Sequence, residues 1–416
     1  MFSKWFEITL WKRIMGALVL GVIVGAFWGE GASSIDWLGQ IFLRLIRMIV
    51  VPLVFITLVA GVVAMGDPKK LGSLGAKTMA AYMGTTVVAI TIGLTLAAII
   101  QPGVGVSLAG VIPNPDVGSN AASLQARLLA IIPTNPVQAL AEANMLAIIF
   151  FALMVGAGVL LVGKKAKPVA DVFEAGSDVM LKVTHLVMEV APFGVFALIA
   201  GVVGTGGIGK LLEVFPLVAT FVSACFIHMI FMHTVMMKYV LKLPVMRFFQ
   251  GIRGAQLVAF STSSSSGSLP VTMTVAEENL GVKKSVASSV LPLGATINMD
   301  GSAIYVGVLA VFAAQIFGID IGFVDYLLIA LATTIASIGT AAVPSASLFL
   351  LAGVTGVFGI DGAQTALIVG FIFPFDRPLD MLRTVVNVTG DLSVSTAVAK
   401  WEGELDEDVF RAAPVD

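Results

Sequence analysis

Long apolar runs constrain the fold of this 416-residue chain more than any other feature. The runs Met15–Trp28, Ile49–Met65 and Met145–Val162 reach the length of a membrane span once their flanks are counted. Only 12% of the residues are charged, which is about half the share that a soluble domain carries. A single very large soluble core is the alternative, but soluble chains divide into domains rather than build such a core. The sequence therefore predicts a polytopic membrane protein.

Lysine and arginine residues concentrate in alternate connections between the apolar runs. By the positive-inside rule these connections face the cytoplasm, so we expect the N-terminus to be cytoplasmic. The predicted helices lie near residues 12–29, 37–66, 75–100, 138–163, 171–203 and 212–241. The net charge of −2 gives no indication of nucleic-acid binding.

Polar stretches interrupt the apolar pattern of the second half of the chain at matching places. Two of them, Ser261–Gly267 and Ala336–Thr340, lie in the middle of apolar segments and predict the tips of two re-entrant hairpins. Each hairpin precedes a helix with a polar break, at Asn298–Gly301 and at Asn387–Asp391. Interrupted segments in two oppositely oriented halves are typical of the binding site of a secondary transporter.

The last predicted helix carries charged and polar side chains at helical spacing. They share one face of the helix: Asp376, Asp380, Arg383, Thr384, Asn387 and Asp391. Inside a membrane such a face is costly unless it lines a polar cavity. The alternative is a structural ion-pair network that holds helices together, but three carboxylates exceed the available basic groups and favour a bound cation.

These side chains suggest individual roles in binding an acidic amino acid. Arg383 forks onto carboxylates, so we expect it to take the distal carboxylate of the substrate. Asp376 orients or neutralises Arg383, and Asp380 accepts hydrogen bonds from an α-ammonium group. The remainder of the substrate is assigned to Thr384, Asn387 and the backbone amides of Ser263–Gly267.

Oxygen ligands for a cation are found on the same elements. Asp300 and Asp391 are carboxylates beside glycines, where we expect unwound backbone to expose carbonyl groups. Further oxygens come from Thr296, Asn298 and Asn387, and from Tyr82, Thr85 and Thr86, which share a face of the third helix. Three hydroxyl groups on one face of a membrane helix also form hydrogen bonds between helices. Their spacing alone therefore does not distinguish a cation site from helix–helix packing.

Other reactive residues suggest no chemistry. The single cysteine, Cys225, lies in an apolar run and is interpreted as core filling. The three histidines, His185, His228 and His233, have no metal-ligand partners at suitable spacing. No activated nucleophile, metal cluster or phosphate loop is evident, so we do not expect an enzyme or a cofactor.

Four motifs in order give the chain a family resemblance. They are Ser263–Pro270 (SSSSGSLP), Gly294–Gly301 (GATINMDG), Ala336–Thr340 (ASIGT) and Arg383–Asp391 (RTVVNVTGD). With these motifs the chain resembles the dicarboxylate/amino acid:cation symporters, a family that includes archaeal aspartate transporters and mammalian glutamate transporters. The resemblance extends over nearly the whole chain.

The resemblance implies an all-α membrane protein with eight transmembrane helices and two re-entrant helical hairpins in inverted repeats. It implies a homotrimer in the inner membrane whose transport domain moves like an elevator, with both termini cytoplasmic. The implied divisions are scaffold 1–74 and 117–211, transport domain 75–116 and 212–400, and a cytoplasmic tail 401–416, in which we expect the acidic stretch Glu402–Asp408 to be solvated.

The resemblance also implies site residues, with sodium ions as the coupling ions. The substrate positions are Ser264, Ser265, Met299, Ser302, Val343, Asp380, Arg383, Thr384 and Asn387. Three sodium sites are implied: one at Gly294, Asn298, Asn387 and Asp391, one at Thr296 and the backbone of Ser337, Ile338 and Thr340, and one at Tyr82, Thr85, Thr86, Asn298 and Asp300. The expected function is sodium-coupled import of aspartate or glutamate, and the alternative is a C4-dicarboxylate carrier coupled to sodium or protons.

The arginine pattern departs from the family. Many relatives carry an arginine at the first hairpin tip or just after the acidic residue at 380, where this chain has Ser263 and Met381. Arg377 is present instead, one turn before Met381. It either supplies the missing charge from a new place or competes for Asp380 or Asp376.

Overall fold

The protein is helical throughout the part of the chain that can be described. The structure is a computed structural model, and it describes residues 8, 10–64, 68–106, 129, 132–142, 144–338, 346–360 and 362–414. Within these residues the extended structure is limited to one isolated bridge between Val282 and Leu405. In the described part of the chain, five segments are long and apolar enough to cross a membrane: Lys12–Phe42, Ser73–Ile100, Ala147–Met188, Phe215–Val240 and Lys284–Ile316. The all-helical membrane class predicted from the sequence is confirmed.

Three long helices begin the chain. They are α1 (Leu10–Trp28), α2 (Asp36–Ala64) and α3 (Pro68–Ile100), and a 3-10 turn at Gly29–Ile35 joins the first two. Helix α1 packs closely on a later helix because it presents glycines. A Cβ at Gly25 would stand 2.6 Å from the carbonyl oxygen of Ala200, so a larger residue would force the two helices apart.

The next segment contains two more helix breaks than the sequence predicts, and one of them divides the helix expected over 138–163. Its helices are α4 (Pro136–Ala141), α5 (Met145–Val162), α6 (Lys167–Met188), α7 (Ala191–Gly206) and α8 (Gly209–Leu212). A single helix was expected over 171–203, but it is divided between Met188 and Ala191. Pro192 stands at the start of α7, and it has no N–H to continue the hydrogen-bond ladder of α6.

A helical hairpin follows the next long helix. The elements are α9 (Phe215–Val235), a π-helical turn (Met236–Val240), α10 (Val245–Gly251), α11 (Arg253–Thr262) and α12 (Ser265–Glu278). Helices α11 and α12 pack on each other and meet at Ser263, which adopts φ 51° in the left-handed region. The hairpin tip thus lies within the serine-rich motif, as predicted.

The remaining helices contain the segments predicted to form the second hairpin and the two polar motifs. They are α13 (Lys284–Ile297), α14 (Asp300–Ile316), α15 (Phe323–Ile338), α16 (Ala346–Thr355), α17 (Gly362–Glu402) and α18 (Glu407–Arg411). The expected break at Asn298–Gly301 separates α13 from α14. The expected break at Asn387–Asp391 is wrong, because α17 runs continuously for 41 residues. Of the predicted second tip, Ala336–Thr340, residues 336–338 are the helical end of α15, and the segment 339–345 lies outside the described residues.

Helix packing falls into two groups. In the first, α1 and α2 pack on α7, and α2 also packs on α5 and α6. In the second, α3, α9 and α14 pack on one another, and α17 packs against α9, α11, α13 and α14. The second group carries the polar motifs around Ser263, Asn298–Gly301 and Arg383–Asp391, and α17 lies at its centre.

The segment after α17 is attached to the rest of the protein by a few contacts, although most of its described residues are at least partly exposed. Phe410 is fully buried, and the backbone N–H of Asp406 donates to the carbonyl oxygen of Gly281 over 2.8 Å. Hydrogen bonds from Lys400 and then from Arg411 lower the pKa of Glu407. None of the residues Glu402–Asp408 is buried, whereas the apolar Phe410 just beyond them anchors the described end of the chain.

Candidate functional site

The polar face of α17 is buried inside the second group of helices. None of its six polar residues is more than 4% exposed: Asp376, Asp380, Arg383, Thr384, Asn387 and Asp391. At Gly390 this helix lies against the break between α13 and α14. A Cβ at Gly390 would stand 2.6 Å from Asn298 Nδ2, so Gly390 serves close approach of these elements rather than unwinding of α17.

Arg383 lies at the centre of a cluster of charges. Its Nε donates to Asp380 Oδ1 over 3.0 Å, and its Nη2 pairs with the same carboxylate. Its Nη1 is 3.6 Å from Asp376 Oδ1, and the guanidinium carbon lies 4.5 Å from the centre of the Tyr305 ring. The Tyr305 hydroxyl donates to Asp376 Oδ1 over 2.8 Å. Two carboxylates and one aromatic face therefore fix the guanidinium plane.

The charge cluster retains unused hydrogen-bonding capacity. Among the described residues, no acceptor lies within hydrogen-bond reach of the buried Nη1 of Arg383, and no donor reaches Oδ2 of Asp376. Unpaired polar atoms of charged groups are costly in a protein interior. A ligand carboxylate can accept a hydrogen bond from Nη1 of Arg383, so the cluster is suited to an anionic ligand.

Arg377 contacts the carboxylate that was expected to bind an ammonium group. Its Nη1 lies 3.6 Å from Asp380 Oδ2, and its side chain is 15% exposed. Asp380 is thus flanked by the guanidinium groups of Arg377 and Arg383. The sequence left open whether Arg377 meets Asp380 or Asp376, and the geometry places it at Asp380.

The tip of the first hairpin caps α12. The side chain of Ser264 accepts a hydrogen bond from the backbone N–H of Gly267 over 3.0 Å, and Ser265 is buried. Helix α12 packs against α17. The first amides of a helix have no acceptor within the helix itself, so those of Ser265 and Ser266 suit an anionic group.

A second cluster of oxygens surrounds the break between α13 and α14. Asn298 Oδ1 accepts from Thr85 Oγ1 over 3.2 Å, and Asn298 Nδ2 donates to Asp391 Oδ1 over 2.9 Å. Thr86 Oγ1 donates to Asp300 Oδ1 over 2.7 Å. All five side chains are at least 98% buried, with the exposed fraction reaching 2% at Asp391. Hard cations prefer such groups of carboxylate, amide and hydroxyl oxygens.

The two clusters are joined through Asn387. Its Oδ1 accepts from the backbone N–H of Gly301 over 2.8 Å, and its Nδ2 lies 3.2 Å from the sulfur of Met299. On the other side of the oxygen cluster, the Tyr82 hydroxyl donates to the carbonyl oxygen of Val290 over 3.0 Å. Asn387, which follows Arg383 by one turn of α17, therefore bonds to the start of α14.

Comparison with known proteins identifies the family. The sodium:dicarboxylate symporter family matches residues 10–401. The chain belongs to this family. It is accordingly a multi-pass membrane protein and a transporter rather than an enzyme.

Curated relatives of this symporter have two kinds of printed name. The Geobacillus stearothermophilus proton/sodium-glutamate symport protein is 37% identical, over 96% of this chain and 95% of the relative. The Escherichia coli proton/glutamate-aspartate symporter is 36% identical, over 97% and 95%. The C4-dicarboxylate transport protein of Rhodospirillum rubrum is 32% identical, over 97% and 91%.

The second expected ion site of this symporter includes two described residues with hydroxyl groups, Thr296 and Ser337. Thr296 Oγ1 donates to the carbonyl oxygen of Leu293, and Ser337 Oγ donates to that of Thr334. Both hydroxyls therefore bond within their own helices. The side chain of Ile338, and all of Thr340 and Val343, lie outside the described residues.

One buried side chain beside the oxygen cluster was missed by the sequence analysis. His228 Nε2 lies 3.3 Å from Asp300 Oδ2, and both side chains are fully buried. The two residues are 72 positions apart, so no spacing rule connects them. The available signal was a histidine within an apolar run of this symporter, where polar groups are costly and usually have a purpose.

Proposed function

We propose that this protein is a sodium-coupled symporter that imports acidic amino acids, with aspartate and glutamate as substrates. One observation carries the proposal: Arg383 is buried beside two carboxylates on α17 and keeps a hydrogen-bond donor without a partner among the described residues. A buried guanidinium with a spare donor favours a ligand carboxylate. The names of the glutamate relatives support the same substrate class.

The substrate binds with its distal carboxylate on Arg383. Asp380 exchanges part of its contact with Arg383 for the α-ammonium group, while Asp376 keeps the guanidinium neutralised. Thr384, Asn387 and the first amides of α12 hold the backbone part of the substrate. Ser264, Ser265, Met299, Ser302 and Val343 complete the proposed substrate site.

Sodium is the proposed co-transported ion. The oxygen cluster of Thr85, Thr86, Asn298, Asp300 and Asp391 supplies hard ligands within a few bonds of Asn387. This closeness supports coupling, because a cation held there stabilises the elements that bind the substrate. The other proposed sodium ligands are Tyr82, Gly294, Thr296, Ser337, Ile338, Thr340 and Asn387.

The proposed transport cycle is an elevator movement in a homotrimer of the inner membrane, with eight transmembrane helices and two re-entrant hairpins per subunit. The grouping of α3, α9 and α11 to α17 supports a transport domain of residues 75–116 and 212–400. The packing of α1, α2 and α5 to α7 on one another supports a scaffold of residues 1–74 and 117–211. Both termini are placed in the cytoplasm.

A C4-dicarboxylate such as succinate is the second candidate substrate. Arg377 gives Asp380 a second guanidinium neighbour, which weakens the case for an ammonium partner there. Relatives with the printed name C4-dicarboxylate transport protein match over 97% of the chain. The second guanidinium near the site, that of Arg377, suits a substrate that has two carboxylates and no amine.

Transport by the purified protein in liposomes tests the proposal. Uptake and counterflow of aspartate, glutamate, succinate and serine are compared under an inward sodium gradient, a proton gradient alone, and neither gradient. The expected result is sodium-dependent uptake of aspartate or glutamate and none of serine. Preferred uptake of succinate establishes the second candidate, and uptake driven fully by protons without sodium contradicts the sodium coupling.

A further inference from the structure

We propose that His228 is a positioning residue that holds the Asp300 carboxylate in the orientation needed to bind the coupling cation. The inference rests on the proposed sodium coupling. It assigns a purpose to a buried histidine that takes part in none of the substrate contacts described above.

The geometry begins with the two oxygens of Asp300. Oδ1 accepts from Thr86 Oγ1 over 2.7 Å, and Oδ2 lies 3.3 Å from His228 Nε2. The two partners come from different helices, α3 and α9, while Asp300 is the first residue of α14. One partner on each oxygen fixes the rotation of the carboxylate about its Cβ–Cγ bond, so its remaining lone pairs have one direction.

The protonation of the imidazole follows from its surroundings. A lone pair on Nε2 would face the carboxylate oxygen and repel it, so Nε2 carries the proton and donates to Oδ2. Nδ1 has no hydrogen-bond partner among the described residues. The ring therefore offers one directed donor, and that donor serves Asp300.

A second histidine supports the ring without sharing its hydrogen bond. His233 lies five positions further along the chain in α9, with its ring edge-on to His228 at a centroid distance of 5.7 Å. It also meets Phe248 at 6.2 Å, and neither of its nitrogens has a partner in the described part of the chain. His233 is thus a packing neighbour and a matched control on the same helix.

Partners that orient a metal-binding group typically change metal affinity by about 10- to 100-fold when they are removed. We therefore expect His228→Ala to raise the sodium concentration for half-maximal uptake by about that factor. The aspartate KM measured at saturating sodium should stay near its wild-type value, because His228 contacts the cation site and not the substrate cluster. A general packing defect would affect both quantities.

The test uses the full-length protein and two readouts. One is uptake in liposomes at varied sodium, and the other is the rise in Tm on adding sodium without substrate, which reports binding by mass action. His228→Gln places an amide donor near the position of Nε2 and should restore the sodium response. His228→Asn places its donor near Nδ1, out of reach of Asp300, and should not. His233→Phe keeps the ring packing and should respond as wild type.

The outcomes separate this inference from the proposed function. If wild type shows sodium-dependent uptake but His228→Ala retains the wild-type sodium response in both readouts, the inference fails and the function stands. Equal loss in the Gln and Asn variants also overturns it, because the position of the donor then has no effect. A wild-type protein with neither uptake nor a sodium-dependent Tm overturns both.

Discussion

Replacing Arg383 by alanine should abolish useful uptake of acidic amino acids. A hydrogen bond to a charged group contributes about 1.5–3 kcal/mol. The spare Nη1 donor alone therefore corresponds to about a 10- to 100-fold rise in KM, and a forked contact with two donors to about 100- to 10,000-fold. The second value applies if Nε or Nη2 leaves Asp380 when substrate binds.

The alanine substitution also removes the guanidinium that lies beside Asp376. The buried Asp376 carboxylate then has no ion-pair partner among the described residues. Breaking a buried ion pair in this way costs about 3–5 kcal/mol of stability. Arg383→Lys is the control, because it keeps the charge between the two carboxylates but loses the planar fork. We expect the lysine variant to fold with a Tm near wild type and to show an intermediate KM.

The assay is the initial rate of aspartate uptake into proteoliposomes at saturating sodium, with Tm measured on the same preparations. A folded Arg383→Ala variant that takes up aspartate with the wild-type KM would refute the assignment of Arg383 to the substrate carboxylate. A lysine variant as poor as the alanine variant, at normal Tm, shows that fork geometry rather than charge dominates.

Three further predictions concern the ion site and the segment after α17. Asp391→Asn should raise the sodium concentration for half-maximal uptake by more than about tenfold, since loss of a group that only orients a metal ligand already costs about that much. An unchanged sodium titration removes Asp391 from the ion site. Gly294→Ala should abolish sodium-dependent uptake, because its Cβ would stand 2.5 Å from Asp391 Oδ1, whereas Gly84→Ala, with open space around it, should not. Phe410→Ala should reduce stability by about 3–5 kcal/mol, seen as a lower Tm, while Asp408→Asn at an exposed position should leave Tm unchanged; equal Tm values in the two variants contradict the anchoring role of Phe410.

Much of the architecture was accessible from local patterns. The helical spacing of Asp376, Asp380 and Arg383 predicts one polar face, and the structure buries that face. The serine-rich stretch predicts a hairpin tip, which the left-handed Ser263 provides. Such predictions succeed because the positions of side chains around a helix depend on the chain itself and on the costs of polar groups in lipid.

Where neighbouring glycines were taken as signs of unwinding, the sequence was ambiguous. Gly301 follows a real break, whereas Gly390 lies inside a continuous helix and makes room for Asn298. A glycine permits either flexibility or close approach. Only the position of the neighbouring element distinguishes the two.

The sequence by itself determined that the chain is a helical membrane protein, which residues share the polar face of its last helix, and to which family it is similar. Tertiary structure alone decided that Tyr305 lies against the guanidinium of Arg383, that His228 meets Asp300, and that the final segment is anchored by Phe410. Spacing along one helix follows from backbone geometry, but contacts between distant segments depend on how complete helices pack together.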